Sequence, residues 1–183
     1  MSRGSRVRVS TRRTRDLDEQ ERAAVIRVCL EAHEEPDFAN LFSYLGPEAL
    51  HVLAYVSDEL VGHAVVTTRW LQPDGRPLLR TAYVDAVATS PAHQGRGVGS
   101  AVMRHLACAI ADYDIACLET ERQTFYARLG WEGWRGQLAG RSGEGDLIPT
   151  PDETGVMILR LPRTPDLDLD TLLTIEATPA RIW

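Results

Sequence analysis

The sequence predicts a mixed α/β protein: one mostly antiparallel central sheet flanked by helices, in a single domain. Three observations carry this. Short stretches alternate apolar and polar residues, or run apolar for a few positions, as strands do. Other stretches repeat apolar residues at helical spacing. The two kinds follow one another in the order β-α-β-β-β-α-β-α-β-β, with hairpins between neighbouring strands, which describes helices layered on one mixed sheet. The 183 residues exceed only slightly the ~150 typical of one domain, and such a length buries a sizeable core.

Taken in order, residues 6–13 (RVRVSTRR) alternate as a strand. Residues 16–32 place Leu17, Ala24, Val25, Val28, Cys29 and Ala32 on one helical stripe, with Asp16 or Asp18 as the cap. Pro36, Gly46 and Pro47 mark a loop containing a short helix. Residues 50–56 and 60–70 read as two strands of a hairpin closed at Ser57-Asp58-Glu59. The turn Pro73-Asp74-Gly75 leads to a strand over 78–89. After PAHQGRGVG, the residues Val98, Ala101, Val102, His105, Leu106, Ala109 and Ile110 predict an amphipathic helix. A strand over 115–120 follows, then a helix over 123–129 ended by Gly130 in a left-handed cap. Strands near 131–137 and 155–161 are separated by a glycine-rich loop over 136–145, and the tail is acidic, then apolar.

Composition narrows the function. All 20 cationic residues are arginine, which excludes a lysine nucleophile or Schiff base. Six arginines and no acid fall in the first 15 residues, so residues 16–183 carry 14 arginines against 26 acids. Such a body favours cationic small partners and disfavours nucleic acid. The basic start is read either as a flexible arm over residues 1–5 or as the edge of a homodimer. No apolar run reaches the ~18 residues of a membrane span, and the first residues lack the apolar stretch of a signal peptide; the expected location is the cytoplasm. Cys29, Cys108 and Cys117 are odd in number, lack metal-ligand spacing and lie in apolar runs. They are expected to be buried thiols. The five scattered histidines predict no metal site.

The chemistry is concentrated in Val84–Ser100, VDAVATSPAHQGRGVGS. A strand enters a loop carrying Gly95, Gly97 and Gly99, and a helix starts there. Helix N-termini hold unpaired N–H groups and partial positive charge, and missing Cβ atoms let an anion approach. The segment reads as a phosphate cradle, with Arg96 adding a charged contact. The Walker pattern fails. The dinucleotide pattern G-x-G-x-x-G is nearly met, with Ser100 in third place and Glu119 about 20 residues on. Against it stand the long loop before the glycines and the hairpin-rich half preceding them. A glycine-rich turn that binds nothing is the remaining alternative.

Gln94-x-x-Gly97-x-Gly99, the preceding VDAVATSP and the later FYARLGW (Phe125–Trp131) resemble the landmarks of the GCN5-related N-acetyltransferases. The resemblance spans essentially the whole chain. Finer features are similar to the aminoglycoside 2′-N-acetyltransferases: Asp37-Phe38, His51, His63, Tyr83-Val84-Asp85, Thr150–Asp152 and the final Trp183. Three positions depart from that subfamily: Phe42 and Arg181 stand where acids are expected, and Asp85 replaces a longer Glu. A less acidic acceptor site follows, suited to a cationic aminoglycoside with few amines such as kasugamycin rather than gentamicin.

The resemblance implies the GNAT fold, acetyl-CoA as co-substrate, and direct transfer in a ternary complex. It implies that Gln94, Gly95, Arg96, Gly97, Val98, Gly99 and Ser100 hold the diphosphate. The strand backbone at Val87, Ala88 and Thr89 would pair with pantetheine, the Val87 N–H facing the thioester carbonyl. Tyr126 matches the general acid for the departing thiolate. Alternation puts Asp85 on the face of Val87, as base or as anchor for the amine. Asp37, Tyr83, Glu119, Asp152 and the terminal carboxylate of Trp183 are candidate acceptor contacts. Cys117 is expected to be inert, and His63 and His105 to be packed. Two rival readings remain: a relative acetylating another small amine or a protein N-terminus, and a regulatory module that binds coenzyme A without transfer.

Overall fold

A computed structural model describes residues 6–179 and 181–183; the arm expected over residues 1–5 lies outside them. The chain forms two compact units. The first joins the residues up to Thr67 with Val84–Ala109, and the second joins Thr68–Tyr83 with Ile110–Trp183.

The strands β1 (Arg8–Arg13), β2 (Leu50–Val56), β3 (Glu59–Pro73) and β4 (Leu79–Thr89) are neighbours in that order, and the first unit holds β1, β2, β3 up to Thr67 and β4 from Val84. The β1–β2 and β2–β3 pairs are antiparallel. The hairpin closes on Ser57 (φ 48°) and Asp58 (φ 65°). Two successive left-handed residues match the twist of the flanking strands. The helix α1 (Glu19–His33) starts at a capping box: Glu21 N–H donates to Asp18 Oδ1 at 2.8 Å and Asp18 N–H to Glu21 Oε2 at 3.2 Å. Asp18, not Asp16, is therefore the cap. A 3-10 turn (Pro36–Asn40) runs into α2 (Leu41–Tyr44), and α3 (Val98–Ala109) packs on β1 and β2. The core is Leu17, Val25, Val28, Cys29, Leu41, Leu53, Leu60 and Ala88.

The second unit adds β5 (Ile115–Glu119), α4 (Gln123–Ala127), β6 (Glu132–Gly133), β7 (Leu138–Arg141), β8 (Leu147–Pro149), β9 (Val156–Arg160) and β10 (Leu173–Glu176). Its strand order is β6-β9-β5-β4-β3-β10-β7-β8. The β4–β5 and β10–β7 pairs are parallel, while β5–β9, β6–β9, β10–β3 and β7–β8 are antiparallel. The expected mixed, mostly antiparallel sheet flanked by helices is thus present. The core is built on Leu71, Tyr83, Ile115, Cys117, Trp134, Ile158, Leu173, Ile175 and Trp183. Each fully buried aliphatic side chain there contributes about 1.5–3 kcal/mol.

Four strands differ from expectation. The glycine-rich stretch contains β7, because Gly140 is there for close approach: a Cβ would lie 2.9 Å from Ile182 Cγ2. That glycine marks packing rather than a loop. Leu147–Pro149 pairs back on β7, and the tail supplies β10, wedged between β3 and β7. The strand expected over 131–137 shrinks to Glu132–Gly133. Cys29 and Cys117 are buried as expected, but Cys108 is exposed, since it lies on the outer side of α3. Among the described residues no helix is long and apolar enough to cross a membrane.

Candidate active site

After β4 the chain turns through Pro91–His93. Ser90 N–H donates to Val61 O at 2.8 Å, and the Gln94 side-chain amide donates to Thr89 O at 3.1 Å. The first bond ties the loop to β3 and the second ties it to the end of β4, so Gln94 braces the cradle through its own side chain. Gly95 and Gly97 have φ of 71° and 83°, and a Cβ at either would meet nothing within 4 Å. Glycine is required there by backbone conformation, and the space in front is open. Ala101 N–H donates to Gly97 O at 2.9 Å, which opens α3. Gln94, Gly95, Arg96 and Gly97 are exposed while Val98 is buried. The first N–H groups of α3 have no intrahelical acceptor, and with the Arg96 guanidinium they suit a diphosphate.

In the same unit β4 carries a kink. Ala86 has φ 48°, a left-handed conformation that costs a non-glycine residue about 1–2 kcal/mol. Regular alternation does not run through it. The shared face expected for Asp85 and Val87 therefore does not follow from spacing. Asp85, Ala86 and Val87 are all half-buried, between buried Val84 and Ala88.

Histidines hold this kink. His63 Nδ1 lies 2.9 Å from Ala86 O, and His33 Nε2 lies 3.1 Å from Val87 O. Behind His63, its Nε2 meets His51 Nδ1 at 2.9 Å, and His51 Nε2 meets Thr14 Oγ1 at 2.9 Å. A carbonyl only accepts, so the protons are assigned in sequence. His63 donates from Nδ1, His51 donates from Nδ1 to His63, and the Thr14 hydroxyl donates to His51. Both rings are fully buried. Burial pushes His51 down to about 4, helped by the Arg22 charge. Burial, then His51, pushes His63 down to about 3. Phe42 lies against His51 (centroids 5.6 Å apart), and Arg22 sits 4.9 Å over the Phe42 ring. At the position where the resemblance leads one to expect an acid, Phe42 covers His51 with an aromatic ring. Phe38 stacks on His33 at 4.8 Å, and its neighbour Asp37 is exposed.

In the second unit Tyr83 is buried, with the guanidinium carbons of Arg69 and Arg181 at 5.1 and 4.8 Å from its ring centre. Arg69 Nε pairs with Glu176 Oε1 at 3.2 Å. Arg181 thus lies against a candidate acceptor residue. Tyr126 is buried on α4, edge-on to Phe125 (4.9 Å) and Trp131 (6.0 Å). Burial pushes its phenol up to about 12, with Arg122 pulling the other way. Trp183 is buried, and its indole N–H donates to Thr150 Oγ1 at 3.2 Å, which itself donates to Leu138 O at 2.8 Å. The structure therefore joins Trp183 to the Thr150–Asp152 segment. Asp152 and Glu119 are exposed.

The sequence reading did not find the hydrogen-bonded chain through Thr14, His51 and His63, nor His33. One signal was available. His51 pairs with Val65 and His63 with Leu53, which makes the two histidines diagonal neighbours on one inward face of a readable hairpin.

Residues 47–133 match the acetyltransferase (GNAT) domain family. The chain is 29% identical over 177 residues to the aminoglycoside 2′-N-acetyltransferase of Mycolicibacterium fortuitum, covering 93% of this chain and 89% of that protein. Among solved structures it is similar to the GNAT family N-acetyltransferase YhbS from Escherichia coli, determined with CoA. The TM-score is 0.66 and the identity 13%, over 95% of this chain and 92% of that one. It is also similar to Eis1 from Mycobacterium abscessus (TM-score 0.60, 22% identity, 70% of this chain), of which it spans only 32%. The fold is the GNAT fold, and residues 47–133 are the part that matches the acetyltransferase domain family.

Proposed function

We propose that this protein is an acetyl-CoA-dependent N-acetyltransferase that modifies the 2′-amino group of an aminoglycoside. Kasugamycin is its preferred kind of acceptor, and resistance to that antibiotic is the consequence. The observation that carries the reading is the open glycine loop at Gly95–Gly97 running into the N-terminus of α3. The near-full-length similarity to an aminoglycoside 2′-N-acetyltransferase supports the acceptor class. Two departures, Phe42 over His51 and Arg181 over Tyr83, support an acceptor with fewer amines. The same reading puts the protein in the cytoplasm, where acetyl-CoA is available.

The roles follow from the residues. The loop from Gln94 to Ser100 grips the diphosphate, and the backbone of Val87, Ala88 and Thr89 aligns pantetheine as an added strand. The acceptor amine, neutral after its ammonium gives a proton to water, attacks the thioester carbonyl; a C–N bond forms, the C–S bond breaks, and the proton the amine nitrogen then loses passes through water to restore the Tyr126 phenol. The Val87 N–H stabilises the oxyanion, a contact of about 3 kcal/mol. Asp85 anchors the acceptor amine, with Asp37, Tyr83, Glu119, Asp152 and Trp183 as further acceptor contacts.

Tyr126 returns a proton to the departing thiolate. Its phenol, near 12, keeps its proton at every working pH. Thiols lie near ~8.5, so full transfer is uphill by about 3.5 units, or about 5 kcal/mol. That is affordable within the roughly 16 kcal/mol barrier of a reaction at about 10 s⁻¹.

The test is thiol release from acetyl-CoA by purified protein with kasugamycin, gentamicin, tobramycin and a peptide amine, followed by mass spectrometry of the acetyl position. Kasugamycin acetylated at the 2′-amine is expected. Turnover only with the peptide would overturn the acceptor class. Gentamicin or tobramycin reacting faster than kasugamycin would overturn the preference.

A further inference from the structure

Ala86 adopts a conformation that its own side chain opposes. A strained residue persists only where its surroundings over-determine it, and here they are two imidazole rings and the Cys29 thiol, whose Sγ lies 4.0 Å from Ala86 O and 3.6 Å from His63 Nδ1. Ala86 O receives the Nδ1–H of His63, and the next carbonyl, Val87 O, receives Nε2–H of His33. Two consecutive carbonyls in a strand are thus taken by side chains. The His63 bond is the better determined of the two. His63 is fully buried, its other nitrogen is engaged by His51, and Thr14 ends the chain. Ala86 O can only accept, so the proton on His63 sits on Nδ1 and His51 donates from its own Nδ1; the Thr14 hydroxyl, 3.4 Å from Ala49 O, lies closer to His51 Nε2 at 2.9 Å. Phe42 closes over His51 and keeps water from competing.

We propose that His63, backed by His51 and Thr14, is a positioning residue for acetyl transfer, its Nδ1–H locking Ala86 in the left-handed region. That lock sets the direction of the Val87 amide and the Asp85 side chain on either side of it. The inference rests on the acetyl-transfer reading for its consequence, but the lock itself is independent of any substrate. Without the bond, Ala86 relaxes toward the extended region, the adjoining peptide planes rotate, and the Val87 N–H no longer points where β4 now directs it.

The experiment has a readout without substrate and one with it. In ¹⁵N-labelled wild-type protein, long-range ring spectra at neutral pH are expected to show His51 and His63 neutral and protonated on Nδ1. In His63→Leu, the Val87 amide is expected to exchange with solvent at least about tenfold faster, and kcat to fall about 30-fold or more with KM for acetyl-CoA within about threefold, since loss of an aimed oxyanion donor costs 10²–10³. His63→Asn keeps an N–H donor near the Nδ1 position and is expected to recover kcat to within about fivefold. A merely structural histidine would move Tm in these variants and leave the kcat-against-KM split and the rescue absent. An Nε2-protonated His63 in the wild type overturns the lock. So does unchanged Val87 exchange or kcat in a folded His63→Leu. If His63→Leu fails to fold, the wild-type tautomers and the comparison of His63→Asn with His63→Gln, which reaches past Ala86 O, decide it: equal kcat in those two overturns it. If the wild type transfers no acetyl group, exchange and tautomers still report on the lock, so the two failures are distinguishable.

Discussion

Lowering the pH from 7 to 5 should destabilise this protein by an amount set mainly by His51 and His63. Both are buried and neutral, with protonation pushed down from the ordinary 6.5 to about 4 and about 3. A base whose folded value is depressed gives stability that is complete above 6.5 and is lost as pH falls through that value toward the folded ones. At pH 5 the unfolded chain gains nearly one proton per ring, and the folded chain gains almost none. Each ring then costs about 2 kcal/mol relative to pH 7, and the pair about 4 kcal/mol. The result depends little on the folded values as long as they stay well below 5. The groups facing the rings, Arg22, His33 and Cys29 on α1, supply no carboxylate that would rescue the charge. A total stability of roughly 5–15 kcal/mol makes such a loss easy to see. Urea unfolding at both pH values, for wild type and for His51→Gln/His63→Gln, isolates the pair. The variant's loss should be smaller by about 4 kcal/mol. Equal losses would refute the buried, neutral assignment.

Other expectations concern single side chains. Tyr126→Phe should lower kcat by about tenfold or more with acetyl-CoA affinity unchanged; steady-state kinetics check this, and full turnover would remove Tyr126 from the proton path. The wild-type rate should show no alkaline fall from Tyr126 below about pH 11, because its phenol lies near 12. Asp85→Asn should raise KM for the acceptor about tenfold, about 1.4 kcal/mol, and leave the acid limb of the pH–rate profile in place; loss of that limb would make Asp85 a base instead. Trp183→Ala removes a buried indole and its bond to Thr150, and should cost about 3–5 kcal/mol in urea unfolding.

The parts of the fold that were legible have local causes. The helix at Val98 announces itself by apolar spacing, the cradle by its glycines, and the β2–β3 hairpin by two strand-like runs joined through Ser57-Asp58-Glu59. The parts that were not legible have distant causes. β10 is four residues long and exists because β3 and β7 lie on either side of it. β7 was hidden by Gly140, which serves the approach of Ile182. In the site, Ala86 gives no signal of a left-handed residue, since alanine is an ordinary strand neighbour; only the carbonyl partners of residues 86 and 87 explain it. The histidine chain joins positions 14, 51, 63 and 86, whose contact needs both the hairpin register and the kink. Phe42 looked like a missing acid, and its packing on His51 was outside what spacing can tell.

The most direct test of the account is calorimetric titration of acetyl-CoA into the wild type and into Gly97→Val. A valine at φ 83° is strained and places methyl groups over the cradle. The wild type should bind one equivalent with Kd in the range of about 1 μM to 1 mM, and the folded variant at least about tenfold more weakly, with Tm lower by about 2–8 °C for the roughly 1–2 kcal/mol of strain. No uptake by the wild type, or equal affinity in a folded variant, would mean that the loop after β4 does not hold the coenzyme.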